Sequence, residues 1–528
     1  MPQGFLWVCQ NGELVPQREK RVIEVEVHQQ LRAFLREQGE LYWSHHLTMA
    51  RLVARALRIG RSALIQTGAP SDLQGRYRLS YLVPLLMWHE PVILVVPEMI
   101  QQRILRVEIP RLRQWISYPK PIQTGDRWIS PDYKGILITT PQAWLSDRLH
   151  NEGRFPPGIP TVIDGVDDLE TWTRDRLTLQ IESADWESLM LACPAHVDLI
   201  RDTRIQLIRA VFQHPANPYE CYLFEQAERD ILTELQQRLT ESLPSNWAKF
   251  FEQFNQNDRL TWVTIARQAG QFSLHCAPIE VASSLAPIWS QQPTVLIGGA
   301  LDLDSDAAIY RSSIGLNDDL TCLKFALDRQ EDLVQLYQPE GIPLPNTPQF
   351  QPALLRELRS LLSVSFQGFS VILVGDTPLR SQVGSILAAE FGSRVQVERT
   401  CLEENGILVT GWEFWREHQS VLPAPQVLAI ATLPIPSLEH PLVAGRVAHY
   451  KQHRQDWFRL YLLPEALGEL QRAVSPVRES QGVIALLDSR VLHRSYGSQV
   501  LTALSPFARI NYLDATLFSN VGDETNAI

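Results

Sequence analysis

The chain has 528 residues, 45% of them hydrophobic and 20% charged, with a formal net charge of −11 at pH 7. This length is too great for one hydrophobic core, and the composition excludes a disordered chain. The acidic balance excludes a basic coat for nucleic acid over the whole surface, although a local basic groove remains open.

The elements follow in chain order. Residues 1–45 read as a short hairpin, FLWVCQNGELVP with its turn at Asn11–Gly12, and then a helix through Leu31, Phe34 and Leu35. MARLVARAL is an amphipathic helix, SALIQTG a strand ending at a glycine, RLSYLVPLLMW a helix, and PVILVVP a buried β-branched strand. GILITTP and TVIDGVDDL repeat that strand texture, so residues 46–173 form an α/β domain with a parallel sheet. Residues 174–285 differ in texture. Phe224, Ile231, Leu235 and Leu239 within Cys221–Leu243 recur at helical spacing, which predicts a mostly helical insertion. TVLIGGALDL (286–303 with its lead-in) returns to strand texture. Residues 304–528 hold four further buried strands, in SVILVGD, GILVTG, QVLAIATLPIP and GVIALLDSR, and predict a second α/β domain.

Apolar stretches such as Tyr81–Trp88 fall short of the roughly 18–20 residues a membrane helix needs. The opening MPQGFLWVCQNGE lacks the basic segment and apolar run of a secretory signal, so no membrane partner and a cytoplasmic location are expected. Cys9, Cys193, Cys221, Cys276, Cys322 and Cys401 contain no CxxC pair, which predicts buried reduced thiols rather than disulfides or zinc. His45 and His46 have no acidic or cysteine neighbours to form a metal set.

A phosphate-binding loop needs GxxxxGK[ST], whose backbone N–H groups and lysine cradle phosphates while the hydroxyl holds magnesium. The corresponding strand, loop and helix read LIQTGAPSDLQGRYRLSYLVPLL. Six residues separate Gly68 from Gly75, Arg76 stands where the lysine belongs, and no Ser or Thr follows. Taken alone this is an ordinary turn.

The order of segments adds to that reading. The loop, the SYLVPLL helix and VILVVPEMIQQRIL resemble the opening of DinG/XPD helicases of superfamily 2. ILITTPQAWLSD resembles their "TP" segment, with Thr140 and Pro141, and TVIDGVDDLE resembles their DEAH box. SLHCAPIEVASSL with TVLIGGALDL resembles the return to motif III. VILVGDTPLRSQVGSIL resembles motif IV, VTGWEFWREHQSVLPAPQVLAIATLPIPSLEHPLV motif V, and LPEALGELQRAVSPVRESQGVIALLDSRVLHRSYG motif VI. The resemblance spans about residues 47–506 and implies two RecA-like parallel-sheet domains, with an Arch-like helical insertion in the first.

The resemblance also implies an eroded nucleotide site. Asp164 matches the magnesium-binding acid, but Gly165 stands at the catalytic glutamate and Asp167 at the histidine. Gly298 and Gly299 replace the hydroxyl pair of motif III, and Glu417 and Gln419 replace the Gly and Asp of motif V. Motif VI keeps Gln471 and Arg478, but Ser475 aligns with the first arginine finger, a group worth about 10³–10⁵ in rate. His46 lies near the place of the adenine-reading glutamine. The four cysteines of iron–sulfur members are absent from residues 100–160, so no such cluster is expected there.

Remnants of the nucleotide site are thus Gly68, Gly75, Arg76, Asp164, Gln471 and Arg478. Arg76 and Arg78 fit either phosphate contact or ordinary ion pairing. Asp164 fits a structural role better than a metal site, and Arg478 fits pairing with an acidic residue across the domain cleft. Trp412 and Trp415 read as packing. The resemblance places single-stranded nucleic acid near Thr140, Pro141, Arg380, Arg394 and Arg399. Three functions follow: an ATPase-inactive homologue that binds single strands or a DNA-processing partner, a weakly active helicase using ATP and magnesium, or a protein scaffold. The missing lysine and Gly165 weigh against the second.

Overall fold

The computed structural model describes residues 6–10, 13–17, 23–38, 43–68, 75–116, 120–239, 242–317, 319–329, 332–365 and 368–514. They fall into two compact units. The first comprises residues up to Val166 with Pro287–Gly299 and Asp319–Phe325, and the second comprises the rest.

The first unit is built on a seven-stranded, all-parallel sheet. Its strand order is Thr321–Lys324, Ala63–Gln66, Thr294–Gly298, Thr161–Asp164, Val92–Val95, Ile136–Thr139, Ile122–Thr124. The β-branched runs are buried at every position of five of these strands, as a sheet covered on both faces requires. The helices His46–Ile59 and Leu79–Met87 pack Met49, Val53, Leu57, Leu82 and Leu85 against it. The antiparallel hairpin Leu6–Gln10 with Glu13–Gln17 is present, and its turn at Asn11–Gly12 lies outside the described residues.

The second unit carries another seven-stranded parallel sheet, ordered Val395–Val397, Ile407–Thr410, Ser370–Leu373, Val427–Ile430, Val483–Leu486, Val334–Tyr337, Phe507–Ile510. Alternation along its strands feeds two cores. Val371, Leu373, Leu428 and Leu486 join one, while Ile372, Val409, Ala429 and Ala485 join the other. Two RecA-like sheets are therefore present, as expected.

Three details depart from the sequence reading. The expected start of the second domain at residue 304 takes in Thr321–Lys324, yet this strand pairs with Ala63–Gln66 in the first sheet. Its half-exposed edge pattern hid it from a search for apolar runs. The insertion has the expected helices, Ser183–Ala192, Val197–Phe212, Gln226–Arg238 and Ser245–Phe254. It also has a four-stranded antiparallel sheet, ordered Leu179–Ile181, Gln271–Pro278, Arg259–Ala266, Cys221–Leu223. Cys221–Leu223, read as the start of a helix, pairs with Thr264–Trp262 instead, and the helix begins only at Gln226. Finally, Cys193, Cys221 and Cys276 are buried as expected, but Cys401 is exposed. Among the described residues, no helix is long and apolar enough to cross a membrane.

Candidate functional site

The site begins at the carboxyl ends of three adjacent parallel strands, where doubly wound sheets place their ligands. Register pairs Gln66 with Gly298 and Ile297 with Asp164, so Thr67, Asp164 and Gly298 emerge side by side. Thr67 N donates to the Gly298 carbonyl at 2.8 Å, Gly68 N to the Gly299 carbonyl at 2.9 Å, and Gly165 N to the Ile297 carbonyl at 2.9 Å. Gly298 and Gly299 thus brace the loop after the strand Ala63–Gln66. Residues 69–74, the middle of that loop, lie outside the described residues.

Where the loop re-enters, Gly75 leads into a short turn of Arg76–Arg78 and then the helix Leu79–Met87. Arg76, aligned with the phosphate-binding lysine, is exposed, whereas Arg78 is completely buried. The Arg78 guanidinium lies 3.4 Å from Asp164 and 3.6 Å from Glu108. A Cβ on Gly75 would stand 2.2 Å from Arg78 Cζ. Gly75 therefore keeps the loop open for this guanidinium.

Asp164 accepts donors on both oxygens. Tyr77 Oη donates to Oδ1 at 2.7 Å, and Tyr81 Oη donates to Oδ2 at 2.8 Å beside Arg78 Nε. The carboxylate has no solvent exposure. Burial works against the charge on Arg78, but Asp164, the tyrosines and Glu108 outweigh it and raise its pKa. Tyr81 is pushed well above its usual pKa, first by burial and then by the Asp164 charge. Both phenols serve as donors to the carboxylate.

The neighbouring positions are equally enclosed. His46 is buried and its Nδ1 pairs with Ser80 Oγ at 2.8 Å. Trp43, His45 and Phe325 form a ring cluster beside it, with His45 stacked on Phe325 at 4.9 Å. Gly165 has φ +88°, a left-handed backbone that disfavours any side chain there.

Other residues selected from the sequence fall in the second unit. Gln471, Ser475 and Arg478 share the helix Leu463–Glu479, and the first two are half-buried. The expected acidic partner of Arg478 is replaced by backbone. Its guanidinium donates to the carbonyls of Asp332, Leu504, Ser505 and Pro506, at 2.6–3.2 Å. Burial lowers its pKa to about 10, since carbonyl dipoles replace water without a full counter-charge. Gln419 is half-buried with Oε1 unpaired, and Glu417 is exposed. Trp415 is buried and donates Nε1 to the Ala473 carbonyl at 3.1 Å, and Trp412 is half-buried, so both pack as expected.

Thr140 caps the helix Pro141–His150 in the first unit, accepting from Ala143 N at 3.2 Å. Arg380 pairs with Glu398 at 3.1 Å, and Arg394 Nε donates to the Asn405 carbonyl at 3.0 Å. Of the three arginines proposed for nucleic acid, only Arg399 is exposed.

The sequence reading missed Tyr77, Tyr81 and Glu108 at Asp164, because their meeting depends on tertiary packing. It also missed a charged cleft of about 340 Å³ within the second unit. There Arg472 meets Asp168 at 2.7 Å, and Glu170 meets Arg446 at 2.6 Å and Arg174 at 2.5 Å. Burial would raise the Glu170 pKa, but the two arginines prevail and lower it. Among the described residues, no His, Cys, Asp and Glu side chains group in a way that could hold a metal ion.

The two parallel sheets and the antiparallel insertion give the chain the fold of solved XPD helicases. A solved XPD helicase superposes with TM-score 0.56 at 11% identity, covering 89% of this chain and 100% of that one. S. tokodaii Xpd4 superposes with TM-score 0.57 at 13% identity, covering 89% of this chain and 100% of that one. In sequence, the chain is similar to the ATP-dependent DNA helicase YoaA of Escherichia coli, 22% identical over 255 residues. It is also 23% identical over 274 residues to YoaA of Haemophilus influenzae. These matches cover 45% and 47% of this chain, but only 40% and 41% of the relatives' length. No family model matches the chain.

Proposed function

We propose that this chain is a DinG/XPD-like helicase homologue that does not turn over ATP and acts as a single-stranded nucleic-acid-binding accessory in DNA processing. The observation that carries the first half is Asp164. A magnesium-binding carboxylate needs free lone pairs facing an open site, and magnesium usually keeps several waters. Here two phenols and a guanidinium occupy that carboxylate inside a closed core. These residues do not fit a magnesium–nucleotide complex. Arg78 supplies the positive charge that metal and lysine would otherwise supply, and it does so permanently. Gly165 and Ser475 support the same reading, since Gly165 offers no carboxylate to orient water and Ser475 no cation to stabilise transition-state charge.

The second half rests on YoaA, which is a DNA helicase, and on a fold of the same kind. Binding a single strand does not itself require turnover, so such a fold can serve this role without hydrolysis. No cofactor is proposed, neither ATP with magnesium nor an iron–sulfur cluster, and a protein partner of the DNA-processing kind completes the proposal.

The test is hydrolysis by purified protein with and without single-stranded DNA. No turnover above background is expected. DNA-stimulated turnover that disappears in Asp164→Ala would refute the reading and favour a weakly active helicase.

A further inference from the structure

We propose that the turn at residues 449–459 is a contact site for single-stranded nucleic acid, with Lys451, Arg454 and Arg459 on phosphates and Trp457 against a base. The inference rests on the nucleic-acid reading above and gives it a site that no motif alignment selected.

The helix Pro441–Gln452 stops abruptly at this turn. Arg454 N donates to the Lys451 carbonyl at 3.0 Å, and Gln455 N to the Tyr450 carbonyl at 2.9 Å. This closure holds Arg454 at φ +57°, a conformation glycine adopts freely and an arginine does not. A strained, charged residue where glycine would relax the chain points to function rather than stability.

The side chains around it form a basic and aromatic ridge on a chain whose net charge is −11. Lys451, His453, Arg454 and Arg459 are exposed. Asp456 lies 3.7 Å from Arg459 in a solvent-exposed pair that contributes little, and the charges of Glu280 and Asp258 reach His449 at the start of the turn. Among the described residues, Lys451 and Arg454 have no carboxylate within ion-pair distance. Lys451 Nζ lies 5.2 Å from the centre of the half-buried Trp457 ring, and Phe458 braces that ring edge-on at 6.1 Å. The rings of His449 and His453 lie 4.2 Å apart beside them.

Cations on the backbone and an aromatic face for a base are what binding single strands without sequence preference requires. Of the other candidate arginines on this unit, Arg380 pairs with Glu398 and Arg394 with a carbonyl, which leaves Arg399 as the exposed one. An acidic protein segment would need the cations but not the indole.

The test is fluorescence anisotropy of a dye-labelled oligothymidylate with the full chain, at low and moderate salt. Charge reversal in K451E/R454E/R459E should weaken binding more than about tenfold and shrink the salt slope by roughly two, at about 0.7 per phosphate. Arg454→Gly should shrink the slope by about 0.7 without lowering the unfolding midpoint, because it relaxes the backbone. Trp457→Ala should weaken binding about tenfold through lost stacking. If the wild type binds and the triple variant matches it within twofold with the same slope, this site is wrong while the nucleic-acid reading stands. No binding by the wild type at micromolar protein overturns that reading itself. Capture of polyglutamate but not oligonucleotide would assign the turn to an acidic protein and overturn the proposal.

Discussion

Replacing Asp164 with asparagine separates a structural carboxylate from a metal-binding one. In a structural role, Asp164 neutralises Arg78, which is completely buried and lies 3.4 Å away. Removing one partner of a buried ion pair costs about 3–5 kcal/mol, since the remaining charge is stranded. Glu108 remains 3.6 Å from Arg78 and offsets part of this, so about 3 kcal/mol is expected, at the low end of that range. The asparagine amide would also meet the Tyr77 or Tyr81 hydroxyl, forcing one phenol to give up its acceptor. In an open metal site the effect would be small, because the carboxylate would lack a fixed counter-charge and its neutralisation would cost little. Urea unfolding followed by tryptophan fluorescence and far-UV circular dichroism reads the difference. With a slope of about 3 kcal/mol per molar, the first unit's midpoint should fall by about 1 M. A loss under about 1 kcal/mol would refute the closed ion-pair argument.

Three further outcomes follow from the same structure. Millimolar magnesium–ATP should leave the unfolding midpoint of the wild type unchanged, whereas a bound ligand at 100 times its Kd would add about 2.7 kcal/mol, which the same titration would detect. Gly165→Glu should fail to create ATP turnover and should destabilise the first unit by roughly 1–2 kcal/mol, because φ is +88° there; an active or unperturbed variant would contradict this. His275, stacked on Trp262 and paired with Thr264 Oγ1 at 2.8 Å, has its pKa lowered by burial from 6.5 to about 4. Between those values the unfolded chain takes up a proton that the folded chain refuses. Stability should therefore fall as pH drops from about 6.5 to 4, by up to about 1.4 kcal/mol per pH unit, and His275→Gln should flatten that slope in a pH series of unfolding curves.

Much of the architecture was legible because buried parallel strands announce themselves. ALIQ, VILV, ILIT, TVID and TVLIG are apolar runs at α/β spacing, and each became a strand of the first sheet. Local composition was enough there, since both faces of such a strand must be apolar. That Arg76, Gly165 and Ser475 stand where the resemblance expects a lysine, a glutamate and an arginine could likewise be read by position. What local pattern could not supply was pairing between distant segments. Thr321–Lys324 and Cys221–Leu223 are short edge strands whose identity comes from a neighbour far along the chain. The same holds at Asp164. Arg76 was the residue singled out by motif spacing, yet the same short turn buries Arg78 two residues on and leaves Arg76 exposed. Only the tertiary fold decides which arginine is desolvated, because burial makes an unpaired charge prohibitive and so compels Arg78, Tyr77 and Tyr81 to converge on the carboxylate.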